Sequence, residues 1–478
     1  MFGDFELQRI SLHSMNTHPL NRRLFLASSG LGASTLALKT LLAREESSQS
    51  RVLRPHHPPT ADRVIFLFMA GGPSQVDTFD PKPELDKLAG KDVPDSIADN
   101  VPKIKRAGLK NLMASPWKFH RHGESGLSVS TLFPQVARHT DDLCVIRSMT
   151  HRNPVHGPGE CVAMTGSANG ERPSLGAWSV YGLGRATDNL PAFVTMNLHS
   201  DGMQYPQAAG WKTGFLPARF QGTVVDPSRG IQHVKMPMGV TSAQRRRELD
   251  VIRNLNQQFA SAVKGHSELD ARIQSYEMAF RMQSATPELF ELSGETEETH
   301  QMYGLHEKNS ATVGRGCLLA RRMIERGVRF VQVRVGGWDA HGNILGNHER
   351  MAARTDRPIA ALLEDLLRRG LLDSTLVVWG GEFGRTPTME GRGKGRDHSP
   401  AAYCCWLAGG GIRGGQTIGQ TDALGYTVTD RPVTPQDFHA TILHALGLDS
   451  DRLVFNHHGL RETPLGVVGG GPVTEAFL

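Results

Sequence analysis

The sequence has little cysteine: five residues in 478 (Cys144, Cys161, Cys317, Cys404 and Cys405), with no Cys-x-x-Cys spacing. An odd, scattered set supports neither a disulfide framework nor a thiolate metal site. Cys404 and Cys405 fall in a strand-like run, where burial accounts for them. Long apolar runs are lacking as well. The apolar segment near the amino terminus is interrupted by Ser28, Ser29, Gly30 and Lys39, which leaves it too short and polar to span a bilayer. Charge of one sign is nowhere concentrated: 53 Lys and Arg against 48 Asp and Glu give +5, spread along the chain. With no basic stripe interleaved with aromatics and no zinc-finger spacing, a nucleic-acid partner is not expected. What is present, 39% hydrophobic and 21% charged residues, is ordinary for a soluble globular protein with a large core. The 21 histidines say more, because many lie in loops beside Gly and Asp.

At the amino end, Asn21-Arg22-Arg23-Leu24-Phe25-Leu26 opens an Ala/Ser/Gly-rich segment that ends near Leu42-Ala43. A basic region, a short apolar core and small residues make an export signal, and paired arginines before Leu-Phe-Leu fit the twin-arginine type. An ordinary amphipathic helix is the alternative. Residues 1–43 are therefore expected to be a signal peptide, which implies a periplasmic or extracellular protein. A start at Met15 would give a signal of more typical length. The Pro/Ser-rich stretch 44–60 reads as a linker into one domain over 61–478.

Short apolar runs at 63–70, 143–146, 190–197, 328–335, 375–379 and 401–407 read as buried strands. Helical patterns separate them at 132–140, 171–184, 314–326, 357–369 and 434–446. Strands alternating with helices predict an α/β fold around a mostly parallel sheet. Residues 242–292, poor in Gly and rich in Arg, Glu, Gln and Leu, read as a helical insertion.

Chemistry-bearing residues gather just beyond these strands, where open α/β sheets bind ligands. After the first come Gly71-Gly72-Pro73-Ser74 and Asp77; paired glycines permit close backbone approach, and Ser74 and Asp77 supply oxygen. A plain turn with Ser74 as helix cap is the other reading. His156 lies at the start of a helix signalled by Pro158 and Gly166, where free N–H groups favour an anion. It could ligate a metal, donate a proton or attack phosphorus. Gly336-Gly337-Trp338-Asp339-Ala340-His341-Gly342-Asn343 offers Asp339, His341 and Asn343 as ligands for a divalent ion such as zinc, manganese or calcium. A cap on the following helix would equally place Asp339. Glu382 past the strand at 375, and Asp397-His398 before the strand at 401, complete the ligand candidates. Their simpler readings are a Glu382–Arg385 ion pair and a capped turn.

The motifs RVIFLFMAGGPSQVDTFDPKP, CLLARRMIERGVRFVQV, GGWDAHGN, LVVWGGEFGRTP, GRDHSPAAY and DFHATILHALGL run in order from Arg63 to about Leu448. With them the chain resembles the exported family called domain of unknown function 1501, which looks like a branch of the alkaline phosphatase and sulfatase superfamily. The resemblance implies a three-layer sandwich and hydrolysis of phosphate or sulfate esters at a one- or two-metal site. On that comparison His156 falls at the nucleophile position, Asp339 with His341 or Asn343 at one metal's ligands, Glu382 at a carboxylate ligand and His398 at the late histidine. Three departures stand out: histidine replaces Cys, Ser or Thr at the nucleophile position, Phe383 stands where a ligating histidine belongs, and no acid directly follows the first strand. Ser74 or Asp77 is left to fill that last role, and no formylglycine can form at 156. Two functions follow as expectations. One is an exported metal-dependent hydrolase acting on a small-molecule or polysaccharide ester; the other is a degenerate member serving as a binding or scaffold protein, for example for sulfated polysaccharide.

Overall fold

A computed structural model of the chain describes residues 55–101, 108–199, 207–230, 241–262, 277–278, 280–282, 288–390 and 394–478. The expected signal over 1–43 and most of the linker over 44–60 lie outside the described residues. Of the expected insertion over 242–292, the helix α3 (Ser242–Ala262) is described.

The central strand is β1 (Arg63–Ala70), whose residues from Val64 onward are all buried. Its alternation sends Ile65, Leu67 and Met69 to one face and Val64, Phe66 and Phe68 to the other, each into its own apolar cluster. A strand buried on both faces must read as a continuous apolar run, and RVIFLFMA does. Around it lie β2 (Leu143–Met149), β3 (Phe193–Leu198), β4 (Thr223–Val225), β5 (Phe330–Gly336), β6 (Thr375–Gly380), β7 (Tyr403–Ala408) and β8 (Gln416–Ile418). They form one eight-stranded sheet in the order β8-β2-β7-β6-β1-β5-β3-β4. All run parallel except β7, which is antiparallel to both of its neighbours.

Helices cover both faces. On one, α4 (Ala311–Glu325) and α5 (Ile344–Arg368) contribute Leu318, Leu319, Leu362, Leu363 and Leu366. On the other, α2 (Leu175–Leu183) and α6 (Pro435–Ala445) contribute Trp178, Val180, Phe438, Ile442 and Leu443. Full burial of each such side chain is worth roughly 1.5–3 kcal/mol. The result is the expected three-layer α/β sandwich. Local chemistry sets several boundaries: Ser174 caps α2 by accepting from the Ala177 amide, and Thr434 and Asp437 form a capping box on α6 with Pro435 in its first turn.

Two local expectations change. The segment expected as a helix over 132–140 is a 3-10 turn, Val136–Asp142. The helix expected to begin near 357 starts at Ile344 and carries Pro358 inside it. Among the described residues, no helix is long and apolar enough to cross a membrane.

The register positions the loops. Ala70 pairs with Gly336 and Phe68 with Gly380, so β1, β5 and β6 end at nearly the same level. Parallel β2 ends at this rim too, and leads into α1 (His156–Thr165). Reversed β7 begins there, Tyr403 pairing with Met149 at the end of β2. Four departing loops and one arriving loop therefore share one edge of the sheet.

Candidate metal centre

Three histidines and one aspartate from these loops face one another. His156, the first residue of α1, places Nε2 3.5 Å from Asp339 Oδ2. His341 Nε2 lies 3.1 Å from Asp339 Oδ1 and 2.9 Å from His398 Nε2, while His398 Nε2 is 3.4 Å from Asp339 Oδ1. All four donor atoms fall within 4.8 Å of each other.

The outer nitrogen of each ring is tied down. His156 Nδ1 meets Glu382 Oε1 at 2.6 Å, His341 Nδ1 meets Glu390, and His398 Nδ1 meets the Pro154 carbonyl at 2.6 Å. A carbonyl or ionised carboxylate only accepts, so each Nδ1 carries a hydrogen and each ring turns Nε2 inward. These proton positions are assigned from the partners' chemistry. Two inward Nε2 atoms 2.9 Å apart beside a carboxylate need a positive centre among them, a proton or a metal ion. His156 Nε2 is buried and makes no hydrogen bond.

The donor set fits a cation. Bonds of about 2.0–2.1 Å define a tetrahedron with edges of roughly 3.3 Å; the three spacings among Asp339 Oδ1, His341 Nε2 and His398 Nε2, 2.9, 3.1 and 3.4 Å, bracket that length, and His156 Nε2 lies 3.5 Å from the other carboxylate oxygen. Pinning each outer nitrogen to an acceptor is how ligating histidines are commonly oriented.

Electrostatics follow the same geometry. Burial opposes charge on His156, but Asp339 and Glu382 outweigh it and lift the ring to about 9. Burial likewise works against the Asp339 carboxylate, yet three histidines and Arg385 hold it far below the usual range. Glu382, fully buried, is also lowered, because the bonds from His156 and the Gly71 amide overcome desolvation. His398 is pushed down, chiefly by burial.

Backbone close approach makes this possible. Gly71 N–H donates to both Glu382 oxygens at 2.9 and 3.2 Å. Gly71 has φ +109°, and a Cβ there would lie 2.4 Å from the Asp339 nitrogen, so only glycine suits the position. Arg385, fully buried, donates to the Gly71, Gly72 and Arg396 carbonyls and to Asp339 Oδ1 at 2.7 Å. It thereby locks the loop after β1 to the loop after β5.

Of the residues singled out in the sequence, His156, Asp339, His341 and His398 converge. Glu382 stands behind His156 rather than among the inward donors, and Arg385 pairs with Asp339 instead of with Glu382. Asp397 lies beside the group: Oδ1 caps the His398 amide at 2.8 Å and sits 3.8 Å from His341 Nδ1, and Oδ2 is buried without a partner. Three candidates are not brought in. Ser74 Oγ donates to Asp77 at 2.6 Å, and Asp77 is held by Arg396 through contacts of 2.7 and 3.1 Å, all fully buried. That carboxylate has no free face for an ion. Asn343 is exposed and caps α5, accepting from the Gly346 amide at 3.0 Å. Phe383 packs its ring against His156 and His398. Sequence reasoning missed Glu390, His151, which meets the Glu382 carbonyl at 2.5 Å, and the Pro154 carbonyl. Their residue types alone carried no mark; only the histidines they support did.

Fold and pocket together define an α/β protein with a preformed three-histidine, one-aspartate cluster at the carboxyl rim of its sheet. The chain belongs to the family described as Protein of unknown function (DUF1501), whose profile matches residues 61–477. No curated protein sequence matches it. Among solved structures it is similar to members of the alkaline phosphatase and sulfatase superfamily. The alkaline phosphatase of the Antarctic bacterium TAB5 is 10% identical with a TM-score of 0.33, covering 82% of this chain and 99% of that one. The PsFucS1 sulfatase of Pseudoalteromonas sp. is 11% identical at 0.31, covering 87% and 71%. The lipoteichoic acid synthase LtaP of Listeria monocytogenes is 8% identical at 0.30, covering 82% and 73%. Similarity at this level carries no argument about this chain, and the chemistry is read from the side chains.

Proposed function

We propose that the protein is an exported, metal-dependent hydrolase of phosphate or sulfate esters. One observation carries this reading: three histidines with their outer nitrogens each pinned by a partner converge on Asp339, and Asp339 and His341 stay 28% and 30% exposed, which would leave an open side for water or substrate. His156, Asp339, His341 and His398 would hold a divalent ion. Three imidazoles and one carboxylate suit zinc or manganese better than calcium, which takes six to eight oxygens. When bound, such an ion supplies Lewis acidity toward an ester oxygen and lowers the pKa of water.

The chain's own residues divide the remaining work. Glu382, Glu390 and the Pro154 carbonyl orient the three rings, and Arg385 fixes Asp339. His156, its side chain 6% exposed and tied at Nδ1, is read as a ligand rather than a nucleophile. Asp339 and His341, at 28% and 30%, form the open side from which an ester enters. Water is the nucleophile, because the cluster contains no hydroxyl or thiol. Its oxygen bonds to phosphorus or sulfur as the bond to the ester oxygen breaks, and the departing oxygen takes one of its protons. Metal analysis of the purified protein, with aryl phosphate and aryl sulfate hydrolysis, tests the reading against Asp339→Asn and His398→Ala. Absence of bound metal, or hydrolysis untouched by either substitution, would discard it. Export is tested by fusing residues 1–60 to a reporter in cells with and without the twin-arginine translocase.

The same lack of a hydroxyl or thiol favours a second reading, an exported binding or scaffold protein for sulfated polysaccharide. Saturable glycan binding that a chelator leaves unchanged would select it.

A further inference from the structure

The cluster is crowded with negative charge. Asp339 touches all three histidines, Glu382 lies on His156, and Glu390 and Asp397 both approach His341 Nδ1. Among the described residues, Arg385 is the one permanent cation that touches any of these four carboxylates. Four of its five N–H donors are taken, by three carbonyls and by Asp339. Arg396, eleven residues along the same loop, is buried and taken up by Asp77 and three carbonyls. Among the described residues, the arginines at the cluster therefore have little left with which to grip a substrate oxygen.

We propose that this pocket selects esters bearing a single negative charge, sulfate monoesters or phosphodiesters, over doubly charged phosphate monoesters. The proposal rests on the hydrolase reading above. Four carboxylates set against one guanidinium and one divalent ion leave a surplus negative charge of one, with the three rings neutral as ligands. The amino end of α1, at His156, adds about half a positive charge. With the ion already counted in that surplus, every negative charge on a ligand meets the same net repulsion, once for a monoanion and twice for a dianion. At about 7 Å and an effective dielectric near 20, the half unit of surplus that remains disfavours one further unit of ligand charge roughly 7-fold.

The decisive experiment compares equilibrium binding of two non-hydrolysable analogues by calorimetry: methyl phenylphosphonate, a monoanion, and phenylphosphonate above its second pKa, a dianion. The monoanion is expected to bind roughly sevenfold more tightly. Asp397→Asn, which keeps the oxygen that caps the His398 amide, removes one of the four charges and should shift that ratio toward the dianion by about tenfold; Glu390→Gln serves if that variant fails to fold. In parallel, kcat/KM for p-nitrophenyl sulfate, bis(p-nitrophenyl) phosphate and p-nitrophenyl phosphate, each divided by its uncatalysed rate, separates the two monoanion classes. Equal or tighter dianion binding, or two ions per chain, overturns the proposal. Monoanion-selective binding with no hydrolysis of any ester would sustain the charge selection and overturn the hydrolase reading instead.

Discussion

Glu382→Gln isolates the part played by the carboxylate behind His156. The side chain is fully buried and keeps its shape, and the Gln oxygen can still accept from the Gly71 amide. What changes is the partner of His156 Nδ1, 2.6 Å away. A carboxylate only accepts, so it dictates the tautomer; an amide can present NH2 instead, which would turn the bare nitrogen outward. Loss of such an orienting partner typically lowers metal affinity 10–100-fold, equivalent to about 1.4–2.7 kcal/mol. Zinc affinity is read by competition with a chromogenic chelator, and thermal unfolding of the metal-free protein is followed alongside. The expected pattern is weakened zinc binding with a folded, cooperative protein. Unchanged affinity in a well-folded variant would show that the carboxylate merely fills space, and the orientation argument would fail.

Other outcomes follow from the same geometry. Asp77→Asn should cost about 3 kcal/mol or more in denaturant unfolding, because Arg396 loses a fully buried partner, yet leave metal stoichiometry unchanged; lost metal with intact stability would restore Asp77 as a ligand. Gly71→Ala should destabilise by several kcal/mol or fail to fold, since its Cβ would collide with the Asp339 nitrogen at a left-handed φ; a stable variant with full metal content refutes the close approach. Burial lowers His348 to about 3 and His439 to about 4. Both stay neutral in the native state while their unfolded counterparts protonate near 6.5. Stability is therefore unaffected above that pH and falls as pH drops from 6.5 toward 4, by up to about 1.4 kcal/mol per pH unit for each ring. Removing the His439 contribution with His439→Gln should flatten that acid slope; an unchanged slope counts against it.

Much of the fold was legible because buried strands must be apolar runs and several helices carry their own caps. The four inward donors were legible because each lies beside Gly or Pro just past a strand or just before one. The division of labour was not. Asp339 and Glu382 look alike in sequence, and only the Gly71 amide and the His156 ring show which of them stands behind. Asp77 looked like a ligand because its partner, Arg396, is 319 residues away, a pairing no local pattern encodes. Asn343 was misread for a different reason. The first half of α5 turns Asn347, His348 and Thr355 inward along with Ile344 and Met351, so its buried face lacks the apolar period that would have announced a helix to be capped. The reversed direction of β7 was equally hidden, since an apolar run has no polarity.

That reversal bears on how the molecule holds together. Because β7 enters the sheet at the rim where the others leave it, His398 arrives beside Pro154 across 244 residues of intervening chain. An ion gripped between these segments would work as a reversible crosslink closing a very long loop, and closure of that kind restricts the unfolded chain more strongly the longer the loop. Loaded protein should consequently survive protease nicks within the intervening loops, its fragments remaining joined until a chelator releases them.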